Sequence, residues 1–380
     1  MPRYGTVKYG SAKYGASSTD NLLTAIEIDW PNAGSFSGYN EARHCVGCQI
    51  QRGRRTYLRI DATGKAVGFG RVMVGKASLK LRDDGRFDPY NTGSAIYPYV
   101  APGKFISIWN KNGSSGDRND LFAGKITNIK PDGRGYVRID AEDGMRKLLS
   151  SDTSIELQTS LHPHTAIGQV LDEISWPTRW GRALENTSDT LNFWWAKNKA
   201  ATEIFDLADA ELGTFFVAAN GAATYYSRRN TVAALLTLTQ ADFLKDFDRP
   251  QPWEVMRNRI RVIAHPRIQR SSATLWECVD KPLIRAGETL EIFASYFYNG
   301  QACPATNVVT PVATTDYTMN TAIDGSGTNL TASVVMAATK WGEDAKLLIT
   351  NGAASDGYLT SLKIRGEPVD APYPTVSEQT

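Results

Sequence analysis

The sequence predicts a mainly β fold with an α+β insert: two β-barrel or sandwich domains flanking a mixed α+β domain. Three observations predict it. Residues 21–140 alternate apolar and polar side chains in short runs closed by Gly, Asn, Asp and Pro. Residues 141–250 shift to apolar spacings of three and four. From 251 to about 370 the short alternating runs return, and 371–380 reads as a frayed tail.

Within the first domain, "LLTAIEIDW" alternates, "CQIQRGRRTYLRI" is interrupted by Gly53, and "ASLKLRD" sets Ala77, Leu79 and Leu81 on one face. The strands "KFISIWN", "LFAGKITNIK" and "GYVRIDAED" follow, with turns at "KNGSSGD" and "PDGRG". Between them lies "DDGRFDPYNTGSAIYPYVAPGK", residues 83–104, which reads as the connection carrying the chain around one end of a barrel.

The insert opens with a short helix in "DAEDGMRKLLS". A stripe of Ile167, Val170, Leu171 and Ile174 marks a second helix that ends before Pro177. The third and clearest helix is "KAATEIFDLADAELG". Its expected N-cap is Asn198, its face Ala201, Ile204, Phe205, Ala208 and Leu212, and its C′ residue Gly213. "TFFVAANGAATYYSRR" predicts a hairpin with Asn220-Gly221 in a tight primed turn. The last domain contains "EVMRNRIRVIAH", "LEIFASYFY", "TASVVMAAT", "AKLLITNG" and "LTSLKIRGEPV".

Composition sets limits on function. Charged residues are 22% and hydrophobic ones 42%, as in ordinary globular proteins, and the net charge of +2 does not suit a chain built chiefly to hold nucleic acid. Four cysteines over 380 residues make no disulfide framework, so a reducing compartment is expected. No apolar run reaches the roughly 18 residues of a membrane span, and the N-terminus lacks a signal-peptide core.

Candidate chemistry is sparse. Cys45-Val46-Gly47-Cys48 beside His44 supplies half of a zinc site, and an extended backbone is expected to point the two thiols to opposite faces, so these read as structural cysteines. His162-Pro163-His164 reads as a pair of loop histidines, because none of the four histidines has an Asp four residues on. Asp83, Asp84 and Asp88 fit turns better than a calcium loop, whose alternation Arg86 and Phe87 interrupt. "GFGRVMVG" fits neither a dinucleotide nor a P-loop spacing. Arg257, Arg259 and Arg261 share one strand face, read as solvated. No catalytic, metal or cofactor site is assigned. Residues 1–20 carry Tyr-Gly at Tyr4, Tyr9 and Tyr14, and are read as a flexible arm able to order against a neighbouring subunit.

The order of the pieces resembles a known family. "KASLKLRDDGRFDPYNTGSAIYPYVAPGKFISIWN" followed by "LFAGKITNIKPDGRGYVRIDAEDGMRKLL" resembles the N-terminal part of tail proteins from tailed bacteriophages and prophages. "IGQVLDEISWP", "ATEIFDLADAELGTFFVAANGAATYYSRRN" and the final "GSGTNLTASVVMAATKWGEDAKLLITNGAASDGYLTSLKIRGEPV" are similar to the same proteins. The resemblance implies tail-tube-like β domains, no catalysis and a place in the virion at the tail tip, after assembly in the host cytoplasm. It implies a hub ring, a cyclic homo-oligomer that is usually trimeric, or hexameric if the chain is instead the distal tail adaptor. Its partners are then the tail tube and the distal tail, tape-measure and tail-fibre or tip proteins, with DNA passing only as cargo. Many hubs continue into a lytic or receptor-binding module, for which no room is expected before Thr380. The interface residues expected on this reading are Tyr4, Tyr9, Tyr14, Phe87, Tyr90, Tyr97 and Tyr99. A cell-envelope carbohydrate-binding or hydrolytic module is the alternative from another class, resting on nine Trp and sixteen Tyr as stacking platforms.

Overall fold

The computed structural model describes residues 22–36, 39–53, 73–112, 117–228, 260–263, 266–371 and 376–379, and it is mainly β. The chain divides into two compact units. One is made of the described parts of 1–153, 162–189 and 198–230, the other of 154–161, 190–197 and 231–380.

The first unit is built on six antiparallel strands: β1 (Leu22–Asp29), β2 (Cys45–Gln51), β3 (Lys76–Arg82), β4 (Phe105–Asn112), β5 (Asn119–Pro131) and β6 (Tyr136–Glu142). Their spatial order is β1-β4-β5-β6-β3-β2. Alternation sets one face inward, as expected for "ASLKLRD": Ala77, Leu79 and Leu81 are buried with Ile26, Ile28, Ile106, Ile108, Phe122, Val137 and Ile139. The two edges approach each other through residues 39–41, just before β2. Ile28 N–H donates to the Tyr39 carbonyl at 3.1 Å, and Glu41 N–H to the Ile26 carbonyl at 2.7 Å. The sheet therefore curls towards closure, which covers the β1 edge that would otherwise expose unpaired backbone groups.

One local expectation fails here. Cys45 stands opposite Leu81 and Cys48 opposite Leu79, because a β-bulge lies between Cys45 and Gly47. The extra residue resets the alternation, so both cysteines share the face that packs on the core rather than pointing apart.

Helices α1 (Met145–Ser150), α2 (Pro163–Glu173) and α3 (Ala200–Ala210) belong to the same unit. Between them the chain contributes β7 (Ile155–Leu161), β8 (Arg182–Leu184) and β9 (Leu191–Ala196). The stripe of α2 is buried as predicted, with Ile167, Val170 and Leu171 fully covered. Trp176 and Trp180 pack with their rings tilted by 56° at 5.1 Å, and a Cβ on Gly144 or Gly221 would collide with these indoles. Arg179 joins this layer to the barrel: its guanidinium donates to the buried Asp29 carboxylate at 2.6 Å and lies between the Phe36 and Phe105 rings.

The ends of α3 sit one residue from their expected positions. Lys199 is the N-cap, while Asn198 is held just outside it by the Glu203 carboxylate, which accepts from its backbone and side-chain amides at 3.0 and 2.8 Å. At the other end Leu212, not Gly213, takes the left-handed conformation, with φ 55°. Gly213 N–H reaches the Ala208 carbonyl and Leu212 N–H the Asp209 carbonyl, a Schellman pattern. Leu212 is consequently 75% exposed instead of completing the apolar face. The predicted hairpin is present as β10 (Thr214–Val217) and β11 (Ala223–Tyr226), with β8 added in parallel. Its loop is longer than a two-residue primed turn. Only Gly221 has positive φ, and the Asn220 Oδ1 accepts from Ala222 N–H.

In the second unit β7 pairs with β9. Later strands are β12 (Ile260–Ile263), β13 (Ile268–Gln269), β14 (Ala273–Glu277), β15 (Leu283–Ile284), β16 (Thr289–Ser295), β17 (Phe297–Tyr298), β18 (Gln301–Ala302), β19 (Ala305–Val309) and β20 (Tyr317–Asn320). They are followed by β21 (Val334–Lys340), β22 (Asp344–Asn351), β23 (Gly357–Asp370) and β24 (Val376–Gln379). The fourteen-residue β23 organises one sheet, pairing with β13, β14 and β15 and with β19 and β20. A second sheet, β16-β22-β21, shares its core through Ala294, Val334, Leu347 and Ile349 packed with Leu275, Met319, Leu359 and Ile364. The expected frayed end is in part a strand: β24 pairs with β12. Arg257 and Arg259 lie outside the described residues, and Arg261 sits in β12 opposite Glu378.

Candidate functional site

The 83–104 connection is held from within by its own turn residues. The Asp83 Oδ1 accepts from Gly85 N–H (2.9 Å) and Phe87 N–H (3.2 Å), and the Asp88 Oδ1 from Tyr90 N–H (2.9 Å). Asn91 Nδ2 donates to the Gly85 carbonyl at 2.7 Å, and Ser94 Oγ to the Arg86 carbonyl at 2.6 Å. These are the Asx-type bonds expected of a stretch rich in Asp, Asn and Ser.

The same connection is anchored to the barrel. Phe87, Ile96 and Val100 are buried in the core, with Phe87 6.1 Å from Trp30 and edge-on to His44 at 5.9 Å. Phe87 is thus a core residue and not part of an exposed interface, a correction to the expected set. Arg86 forms a two-pronged pair with Glu41, at 2.8 and 2.7 Å, and the buried Glu41 also accepts from Trp30 Nε1 at 3.0 Å. Sequence reading missed this triad; its members are 11 and 45 residues apart, and no local pattern links them.

Anchored in this way, the connection presents its tyrosines outward. Tyr90 is 88% exposed, and Tyr97 and Tyr99 are about 40% exposed, with Lys104 over the Tyr99 ring. Tyr4, Tyr9 and Tyr14 lie outside the described residues.

The other candidates have structural surroundings. All four cysteines are free thiols, and burial pushes Cys48 up to about 12 and Cys303 to about 11, away from thiolate reactivity. His162 is the N-cap residue of α2 and His164 lies in its first turn, so the pair is not in a loop. The rings stack at 5.6 Å, and His162 Nδ1 meets the Asp189 carbonyl at 2.8 Å. Among the described residues no three His, Cys, Asp or Glu side chains converge as metal ligands, and no helix is long and apolar enough to cross a membrane. The Asp143 carboxyl is raised to about 6 chiefly by burial, although it accepts from Met145 N–H at 3.0 Å.

No family model and no curated protein matches the sequence. Among solved structures, the chain is similar to the 43 kDa tail protein of prophage MuSo2 from Shewanella oneidensis. That match has 12% identity and a TM-score of 0.35, over 59% of this chain and 61% of that one, so less than two thirds of the Shewanella protein is spanned. A tail protein from Neisseria meningitidis aligns at 8% identity and TM-score 0.36, over 90% of this chain and 96% of its own. A component of the E. coli type VI secretion system, described as structurally similar to T4 phage tail proteins, aligns at 10% identity and TM-score 0.31, over 96% and 78%.

Proposed function

We propose that the chain is a structural protein of a phage-type tail, working at the tail tip as a hub ring. The observation that carries the reading is where the family-like text falls in the fold. The "DGRF-P-N" turn and the strands around it build one end of a curled six-stranded sheet, and the turn holds Tyr90, Tyr97 and Tyr99 outward on a braced loop. Tyrosine at such a position suits a protein contact, offering apolar area and a hydrogen-bonding tip with little rotamer entropy to lose.

On this reading copies of the chain assemble about an axis, three in a hub, and join the tail tube to the distal tail, tape-measure and fibre or tip proteins. The ring stands in the virion and lets DNA pass through its centre. The chain performs no catalysis. The Tyr-Gly arm, with Tyr4, Tyr9 and Tyr14, adds a contact to the neighbouring copy. Light scattering on the purified protein, together with its incorporation into particles, tests the proposal. A chain that stays monomeric at high concentration and never enters particles refutes it, and six copies per ring replace the hub by the distal adaptor.

A further inference from the structure

A cleft of about 500 Å³ lies beside β1, lined by Glu27, Ser35, Phe36, Asn40, Arg43, Arg86 and Arg118. Three guanidiniums in one cleft invite the question of which already have partners. Arg118 has partners at each nitrogen: Nε donates to Asp120 at 2.7 Å, Nη2 donates to Ser107 Oγ at 2.9 Å, and Nη1 lies 3.7 Å from Glu27 in an ion pair. Glu27 in turn accepts from Trp109 Nε1 at 2.8 Å. Arg86 spends Nε and Nη2 on Glu41 and leaves Nη1 over.

Arg43 is different. Its Nε donates to His44 Nε2 at 2.9 Å, and among the described residues it meets no carboxylate. Both of its terminal nitrogens are therefore available. Asn40 adds a further donor. Its Oδ1 is saturated by Ile26 N–H (3.2 Å) and Ala42 N–H (3.0 Å), which leaves the Nδ2 group. The spare hydrogen-bonding capacity of Arg43, Arg86 and Asn40 thus consists of N–H donors; of the carboxylates beside them, Glu41 is engaged through both oxygens and Glu27 through Oε2. One wall is Phe36, whose ring is held by the Arg179 guanidinium at 4.1 Å.

From this imbalance we propose that the cleft binds an oxyanion, a carboxylate or a phosphate group, gripped by the Arg43 fork with Arg86 Nη1 and Asn40 Nδ2 beside it. A planar guanidinium matches either group with two parallel N–H···O bonds. Arg118 and Glu27 form the fixed rim, and Phe36 gives the body of the ligand a flat surface. The site is independent of the assembly role proposed above, since it rests only on this unit's own side chains.

The test is isothermal titration of the full chain with inorganic phosphate, at ionic strength held constant with sodium chloride, and then with acetate as competitor. The wild type should bind phosphate saturably. Arg43→Gln should weaken binding by about tenfold or more, the loss expected of one charge-assisted pair. Arg43→Lys, which keeps the charge without the fork, should fall between, and Arg134→Gln, on an exposed turn that does not line the cleft, should match the wild type. Displacement by acetate assigns a carboxylate, and resistance to acetate assigns a phosphate group. Absence of saturable binding to either anion overturns the proposal, as does equal affinity in a folded Arg43→Gln variant.

Discussion

Two acidic residues illustrate how burial and partners decide what a carboxylate does. Glu41 is fully covered and holds both Arg86 and Trp30, bracing the connection that carries the exposed tyrosines. Glu41→Gln keeps the shape and an acceptor for Trp30 but leaves Arg86 without its counter-charge. A loss of about 3 kcal/mol in urea unfolding is expected, and the apolar pair Glu41→Leu with Arg86→Met should lose less. Asp143 is the opposite case, because burial outweighs the bonds that favour its charged form, among them the one from Met145 N–H. Its folded pKa of about 6 exceeds the 3.8 of the free side chain, so between those values the folded state holds more protons than the unfolded one. The contribution of Asp143 to stability is therefore fully present below about pH 4 and is lost as pH rises towards 6 and beyond. Urea unfolding across pH 4 to 7 should show the wild type losing stability relative to Asp143→Asn, which keeps the acceptor Oδ1. Parallel pH profiles for the two would remove Asp143 as the source.

At the level of elements, the end of α3 supplies a clear prediction. Leu212 pays the steric penalty of a left-handed conformation while 75% of it faces solvent. Leu212→Gly should raise stability by about 1 kcal/mol, read from the urea midpoint. A decrease would mean that the Leu212 side chain makes a contact worth more than its strain. The same helix shows how far sequence was legible. Periodicity located α2 and α3 and the inward face of β3, because burial of one stripe or one face is what creates those patterns. Cap positions slipped by one residue, since Leu212 is carried into the left-handed turn by tertiary packing: a Cβ on Gly213 would crowd the Tyr226 carbonyl and the Tyr225 ring. The bulge that brings Cys45 and Cys48 to one face leaves no mark in composition, and neither does the pairing of β24 with β12, whose partners are over a hundred residues apart.

For the whole molecule, the turn-forming text of 83–104 was readable as a barrel-end connection, but its division into buried and displayed aromatics was not. Phe87 and the tyrosines look alike in sequence, and only the curl of the sheet decides that Phe87 points inward. If the displayed tyrosines make the contact between copies, replacing Tyr90, Tyr97 and Tyr99 together by Ser should abolish assembly. The unfolding midpoint of the single chain should stay nearly unchanged, because exposed side chains contribute little to its folding. Unchanged assembly in that variant would move the interface elsewhere on the surface. The most direct measurement is an image reconstruction of an intact particle that contains this chain. Three copies are expected in a closed ring at the distal end of the tail, with the 83–104 connection of each copy against its neighbour; a solitary peripheral subunit, or a position away from the distal end, would contradict the assignment.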